Sequence, residues 1–152
     1  DVETHYPKTI ACQANATDVM SAVHENFARF GDHSLGPLNV TFSPPPVLKI
    51  GATIPIAVVT GPITTSMSVT VYAMTSQSVT FVTSPGHLLY PAAITFSAEN
   101  ASSSSVSFHI DVAGSFPSAI NQAKFYGGGS GFEDAQWNHF LTKIGGLCKA
   151  GS

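Results

Sequence analysis

Charge is what this chain has least of. Only 10% of its 152 residues are Asp, Glu, Lys or Arg, against about 25% in ordinary soluble domains. The six basic residues (Lys8, Arg29, Lys49, Lys124, Lys143 and Lys149) are scattered, and the formal charge is −3. No basic face or polybasic tail is visible, which removes the electrostatic reason to bind nucleic acid or an anionic lipid surface. Long hydrophobic runs are missing too. No stretch of about 18 apolar residues exists, so no segment reads as a membrane-spanning helix. The longest apolar stretch, Ile54–Val59, is interrupted by Pro55.

Catalytic and metal motifs are also lacking. His24-Glu25 has no second histidine four residues on, as a zinc-protease helix requires. Gly129-Ser130-Gly131 is followed by Phe132, where a nucleophile elbow needs glycine. Two cysteines are too few for a sulfur-ligated structural zinc. No metal and no cofactor is expected. His109 and Asp111 share one strand face and could bind a metal together, but they read more simply as solvated surface.

What is present begins with those cysteines. Cys12 and Cys148 lie near opposite ends of the chain. They read either as one bridge joining the termini or as two buried thiols. In the chain-entropy model such a bridge contributes about 5 kcal/mol before native strain is subtracted. A bridge, a surface rich in Ser and Thr, and a start at Asp1 rather than Met together suggest a processed, secreted or periplasmic protein. Asn15, Asn39 and Asn100 stand in Asn-x-Ser/Thr sequons, which matter as glycan acceptors only in a eukaryotic secretory pathway.

The length fits a single domain, 1–152. A first strand is expected within Thr4–Gln13. Thr17-Asp18 reads as a helix start, and Val19, Val23, Phe27 and Phe30 recur at spacings of three and four up to Gly31. Six alternating segments follow, near Leu38–Phe42, Thr53–Thr60, Thr65–Met74, Ser78–Thr83, Pro91–Ala98 and Ser105–Ala113. The alternation is clearest in the last, where Val106, Phe108, Ile110 and Val112 oppose Ser105, Ser107, His109 and Asp111. Strands of this kind form an antiparallel sheet with one wet face. Asn100–Ser104 reads as a hairpin loop.

The dry face needs a cover. Ser130 and Glu133 have capping-box spacing, after a loop at Gly127–Gly129. Trp137, Phe140, Leu141 and Ile144 then form an apolar helical stripe, with Gly145-Gly146 as the expected stop. Glu133 and Asp134 are explained by the favourable helix N-terminus rather than as a carboxylate pair. The fold expected is α+β: a curved antiparallel sheet of six to seven strands closed by a long C-terminal helix, often with a cavity between them.

That order, with Val79-Thr80-Phe81 running into Pro85-Gly86-His87, then Ile94-Thr95-Phe96 and Val106–Val112, resembles the START-like helix-grip superfamily. The strand–Pro-Gly-His–strand portion looks like a small member family without assigned function. One departure is expected. The usual pair of short helices after strand one is represented here by one helix and an irregular stretch near Asp32–Pro37. The resemblance implies a hydrophobic cavity and transfers no catalytic set. On this reading Phe81, His87, Tyr90, Phe96, Phe108, Trp137 and Phe140 are the candidate ligand-binding residues. The alternatives are aromatic core packing and, for His87, a turn histidine bonded to backbone. The function expected is binding of a small apolar ligand or lipid. An enzyme of cyclase or hydrolase type acting on a hydrophobic substrate, or a surface interaction protein with a filled core, are the other readings.

Overall fold

The computed structural model describes residues 2–35, 37–87, 89–116, 118–119 and 130–150. Its elements are β1 (Val2–Ala11), α1 (Ala16–Glu25), α2 (Phe27–Gly31), β2 (His33–Leu35), β3 (Leu38–Phe42), β4 (Thr53–Thr60), β5 (Ile63–Thr75), β6 (Ser78–Thr83), β7 (Ala92–Ser102), β8 (Ser105–Gly114) and α3 (Ser130–Ala150). The strands form one curled antiparallel sheet in the order β1-β8-β7-β6-β5-β4-β3-β2. Its two edges are therefore β1 and β2, and α1–α2 is the chain's crossing from one edge to the other.

Alternation produces the two faces of this sheet. Along β8, Val106, Phe108, Ile110 and Val112 are buried and the residues between them are not. Val79 and Phe81 on β6, and Ile94, Phe96 and Ala98 on β7, repeat the pattern. The outer face is joined by hydroxyl pairs across strands: Thr9 with Ser107 at 3.0 Å, Thr80 with Thr95 at 3.0 Å, and Thr53 with Thr70 at 3.4 Å. Such cross-strand pairs stabilise a sheet that has few charges to use.

Helix α3 covers the inner face. Trp137, Phe140, Leu141, Ile144 and Cys148 are all buried, as their spacing of three and four predicts. Phe27 of α2 is the hub between helices and sheet. Its ring lies 5.3 Å from Phe42, 5.1 Å from Phe81, 5.4 Å from Phe96 and 5.7 Å from Phe140. Ring pairs at such separations each contribute about 0.5–1.5 kcal/mol beyond burial.

Several expectations are corrected in detail. The sheet has eight strands rather than six or seven, because the three-residue β2 is too short to show a period. The first helix begins at Ala16, not at Thr17-Asp18. Asn15 is its cap, with Oδ1 accepting the Asp18 amide at 2.9 Å. Asn100 on β7 accepts the Ala16 amide at 2.8 Å, so two side chains satisfy this helix start and one of them docks it to the sheet. The helix does not run unbroken to Gly31. Asn26, at φ −153° and ψ 57°, divides it into α1 and α2. The pair of short helices is therefore present after all. The β7–β8 hairpin is tighter than the expected Asn100–Ser104 loop, since pairing continues to Ser102 opposite Ser105.

Helix α3 also passes through Gly145-Gly146 instead of stopping there. Each glycine costs about 1 kcal/mol relative to alanine. The continuation is held because Leu147 packs against the core and buried Cys148 is bonded to Cys12, with Cα atoms 4.7 Å apart. The expected Gly127–Gly129 loop and the Ser130 side-chain cap lie outside the described residues.

Two consequences can be measured. Closing 136 residues of chain makes the disulfide worth up to about 5 kcal/mol. Urea titration of Cys12→Ser/Cys148→Ser should show a large loss in midpoint, with wild type matching the variant only under reducing conditions. At Gly114 an added Cβ would stand 2.3 Å from the Ala92 Cβ and 2.9 Å from the Pro91 carbonyl oxygen. Gly114→Ala should lose about 1–3 kcal/mol in the same assay.

Candidate functional site

The curled sheet and α3 do not meet everywhere. Between them lies a cavity of about 450 Å³, within the range of about 300–1,000 Å³ typical of small-molecule sites. Its wall comes from Leu38, Val40 and Phe42 of β3, Ile56 and Val58 of β4, and Thr65, Met67 and Val69 of β5. Phe81, Ile94, Phe96 and Val112 continue it across β6, β7 and β8. Phe27 and Leu89 contribute from α2 and the β6–β7 connection. Four polar residues complete the lining: Thr65, His87, Glu133 and Gln136, the last two with Trp137 on α3.

Of the seven candidate ligand-binding residues, Phe81, His87, Phe96 and Trp137 line this cavity. Phe108 and Phe140 are not in its wall and are fully buried at 0% exposure, their rings 5.9 Å apart. Tyr90 is not in the wall either; it is half-buried, and its amide donates to the Ser115 carbonyl at 2.9 Å. Sequence reasoning missed Phe27, Met67, Leu89, Glu133 and Gln136, among others. Alternation marks the strand members as inward-facing. It carries no sign of which inward residues border a hollow and which fill the core.

His87 combines two of its expected roles. Its Nδ1 accepts the Leu89 amide at 3.2 Å, as a turn histidine does, and it also borders the cavity. That bond places the ring proton on Nε2. Burial disfavours the imidazolium and pushes its pKa down to about 4. The ring is neutral at pH 7 and is a donor through Nε2–H.

Glu133 sits in the first turn of α3, but its carboxylate is more than a helix-end charge. Oε1 accepts from Thr4 Oγ1 at 2.5 Å and from Tyr6 OH at 3.0 Å. Tyr6 OH also reaches Asp134 Oδ1 at 2.6 Å, so one phenol bridges the two adjacent acids. Desolvation raises the Glu133 pKa above the ordinary value, while the Thr4 and Tyr6 bonds oppose the shift. Desolvation, assisted by the two carboxylates, raises the Tyr6 pKa as well. Gln136 is fastened by its Nε2, which donates to the Gly31 carbonyl at 3.1 Å.

The remaining histidines serve elsewhere. His24 donates through Nε2 to the Ser78 carbonyl at 3.1 Å, anchoring α1 on the sheet. His33 is buried beside the His139 ring, 5.2 Å away. On the outer face His109 faces Glu99 at 3.5 Å, whereas Asp111 pairs with His5 at 2.7 Å. Among the described residues no group of three or more His, Cys, Asp or Glu is arranged to hold a metal ion. The three sequon asparagines all use their side-chain oxygen. Asn15 and Asn100 hold the α1 start, and Asn39 accepts from Ser34 Oγ at 2.6 Å.

No protein-family profile matches the sequence, and no curated protein matches it. Solved structures do resemble it over nearly the full length. The Aha1 dimer from Colwellia psychrerythraea is 12% identical with a TM-score of 0.66, covering 100% of this chain and 99% of that one. The ZhuI aromatase/cyclase from Streptomyces sp. R1128 is 10% identical with a TM-score of 0.64, covering 97% and 94%. Ara h 8.0201 is 9% identical with a TM-score of 0.56, covering 93% and 99%. At these identities the likeness is one of fold. The architecture is the α+β helix-grip fold, a curled antiparallel sheet gripping a C-terminal helix.

The His87 environment sets a pH signature. Its folded pKa lies below the ordinary histidine value of 6.5, at about 4. The unfolded chain therefore binds more protons between those values. The contribution is fully present above pH 6.5 and is lost as pH falls towards 4, by up to about 3 kcal/mol. Urea unfolding followed from pH 7 to pH 4 should show a shallower acid decline in His87→Gln than in the wild type.

Proposed function

We propose that this chain is a binding protein for a small apolar molecule, held between the inner face of the sheet and α3, and that it works in a secreted or periplasmic setting. The observation that carries the reading is the cavity. Fourteen of its eighteen lining residues are apolar. A hollow of about 450 Å³ in a domain of this size removes packing contacts and costs stability unless a guest restores them. Burial of apolar surface at about 25 cal/mol per Å² would drive entry. Phe81, Phe96 and Trp137 would supply aromatic contact, with His87 orienting any polar group. Tyr90, Phe108 and Phe140 would act from beyond the wall, supporting its shape. The cavity counts against a surface protein with a solid core. The bonded Cys12–Cys148 pair suits an oxidising compartment. No helix among the described residues is long and apolar enough to cross a membrane.

An enzyme acting on a hydrophobic substrate is the second reading. It is favoured by the presence of two groups with shifted pKa, His87 and Glu133, in the same cavity wall.

Filling the hollow separates binding from folding. Met67 lines the cavity and is only partly buried. Met67→Trp should weaken a neutral fluorescent probe such as N-phenyl-1-naphthylamine by about ten-fold or more, with an unchanged far-UV circular dichroism spectrum. Equal affinity in variant and wild type would remove the cavity as the binding site. Product released from a bound hydrophobic substrate would shift the balance to the enzyme reading.

A further inference from the structure

The few polar atoms of the cavity limit which apolar molecules can occupy it. Glu133 and Gln136 are three residues apart on α3 and so neighbours on one helix face. Both bonds that hold the Glu133 carboxylate, from Thr4 and Tyr6, go to Oε1. Its Oε2 has no partner among the described residues. Gln136 is tied through its amide nitrogen to Gly31, which leaves its oxygen as an acceptor. His87, with Nδ1 occupied by the Leu89 amide, offers Nε2–H. The lining thus holds acceptors on α3 and neutral donors at His87, Thr65 and Trp137, and among the described residues it includes neither Lys nor Arg. Lys143, further along α3, is directed to the Asp32 carbonyl.

We propose that the ligand is uncharged and carries a hydroxyl group, an alcohol or a phenol, which donates to Glu133, and that the cavity rejects carboxylates of the same size. This rests on the binding reading above. A buried carboxylate needs a cation or several donors. Here, among the described residues, it would meet a second carboxylate and no cation, a repulsion that the neutral N–H and O–H groups of His87, Thr65 and Trp137 do not cancel. A hydroxyl has both the donor that Glu133 lacks and an acceptor for a donor in the wall. An ether of the same length fits the apolar wall but has nothing to donate.

The test is displacement of N-phenyl-1-naphthylamine from the wild-type protein at pH 8 by 1-decanol, decanoate and decyl methyl ether. Decanol should displace the probe at a concentration at least about five-fold below either of the others, as expected for a hydrogen bond to a charged group. In Glu133→Gln the gap between decanol and decanoate should shrink below about five-fold. A gap smaller than that in the wild type, or one unchanged in the variant, overturns the inference and leaves the cavity reading standing. Failure of the probe to bind at all overturns both. Should Glu133→Gln not fold, the three wild-type displacements decide the matter by themselves.

Discussion

The structure depends on covering one apolar sheet face. Eight strands with alternating side chains create that face, and a curled sheet cannot bury it against itself. The rings of Phe27, Phe81, Phe96, Phe140 and Trp137 meet where α2, the sheet and α3 converge, with centroids 4.9 to 6.3 Å apart in the pairs that touch. Without that convergence α3 would have only its own propensity, weakened by Gly145 and Gly146. With it, the helix continues to Ala150 and carries Cys148 to the end of β1.

The cavity is a consequence of the same geometry. A straight helix laid on a concave sheet touches part of it closely and leaves the rest open. Near Phe108 and Phe140 the two layers are in contact and nothing is exposed. Towards the first turns of α3 they separate, and residues of β3, β4 and β5 border empty space. The hollow is therefore lined by ordinary core residues. Three of its four polar members come from outside the sheet pattern, from the start of α3 and the β6–β7 connection, with Thr65 of β5 the fourth, and these give the site chemical character. Glu133 shows this coupling most directly. The edge strand β1 reaches it through Thr4 and Tyr6, so the group that faces the cavity also ties α3 to the sheet.

Much of the fold was legible because its signals are local and periodic. Val106, Phe108, Ile110 and Val112 declare a one-sided strand without reference to anything else, and Trp137, Phe140, Leu141 and Ile144 declare a helix face. Where the reading went astray, a distant contact outweighed a local preference. Gly145-Gly146 looked like a stop, but Leu147 and Cys148 are docked. Thr17 looked like a cap, but Asn15 takes that place and Asn100 reaches over from β7. The break at Asn26 was hidden because Val19, Val23, Phe27 and Phe30 keep helical spacing across it, and all four are buried.

The amino-acid order alone determined that this chain makes a one-sided antiparallel sheet with an apolar helix to close it, because side-chain direction alternates every residue in a strand and repeats every three to four in a helix. Only the tertiary structure decided which inward residues fill and which enclose. Phe96 and Phe108 are indistinguishable in pattern, yet one borders the cavity and the other is sealed beneath α3. The difference lies in the curvature of the sheet and the resting place of the helix, which are set by all the contacts at once and are encoded in no single segment.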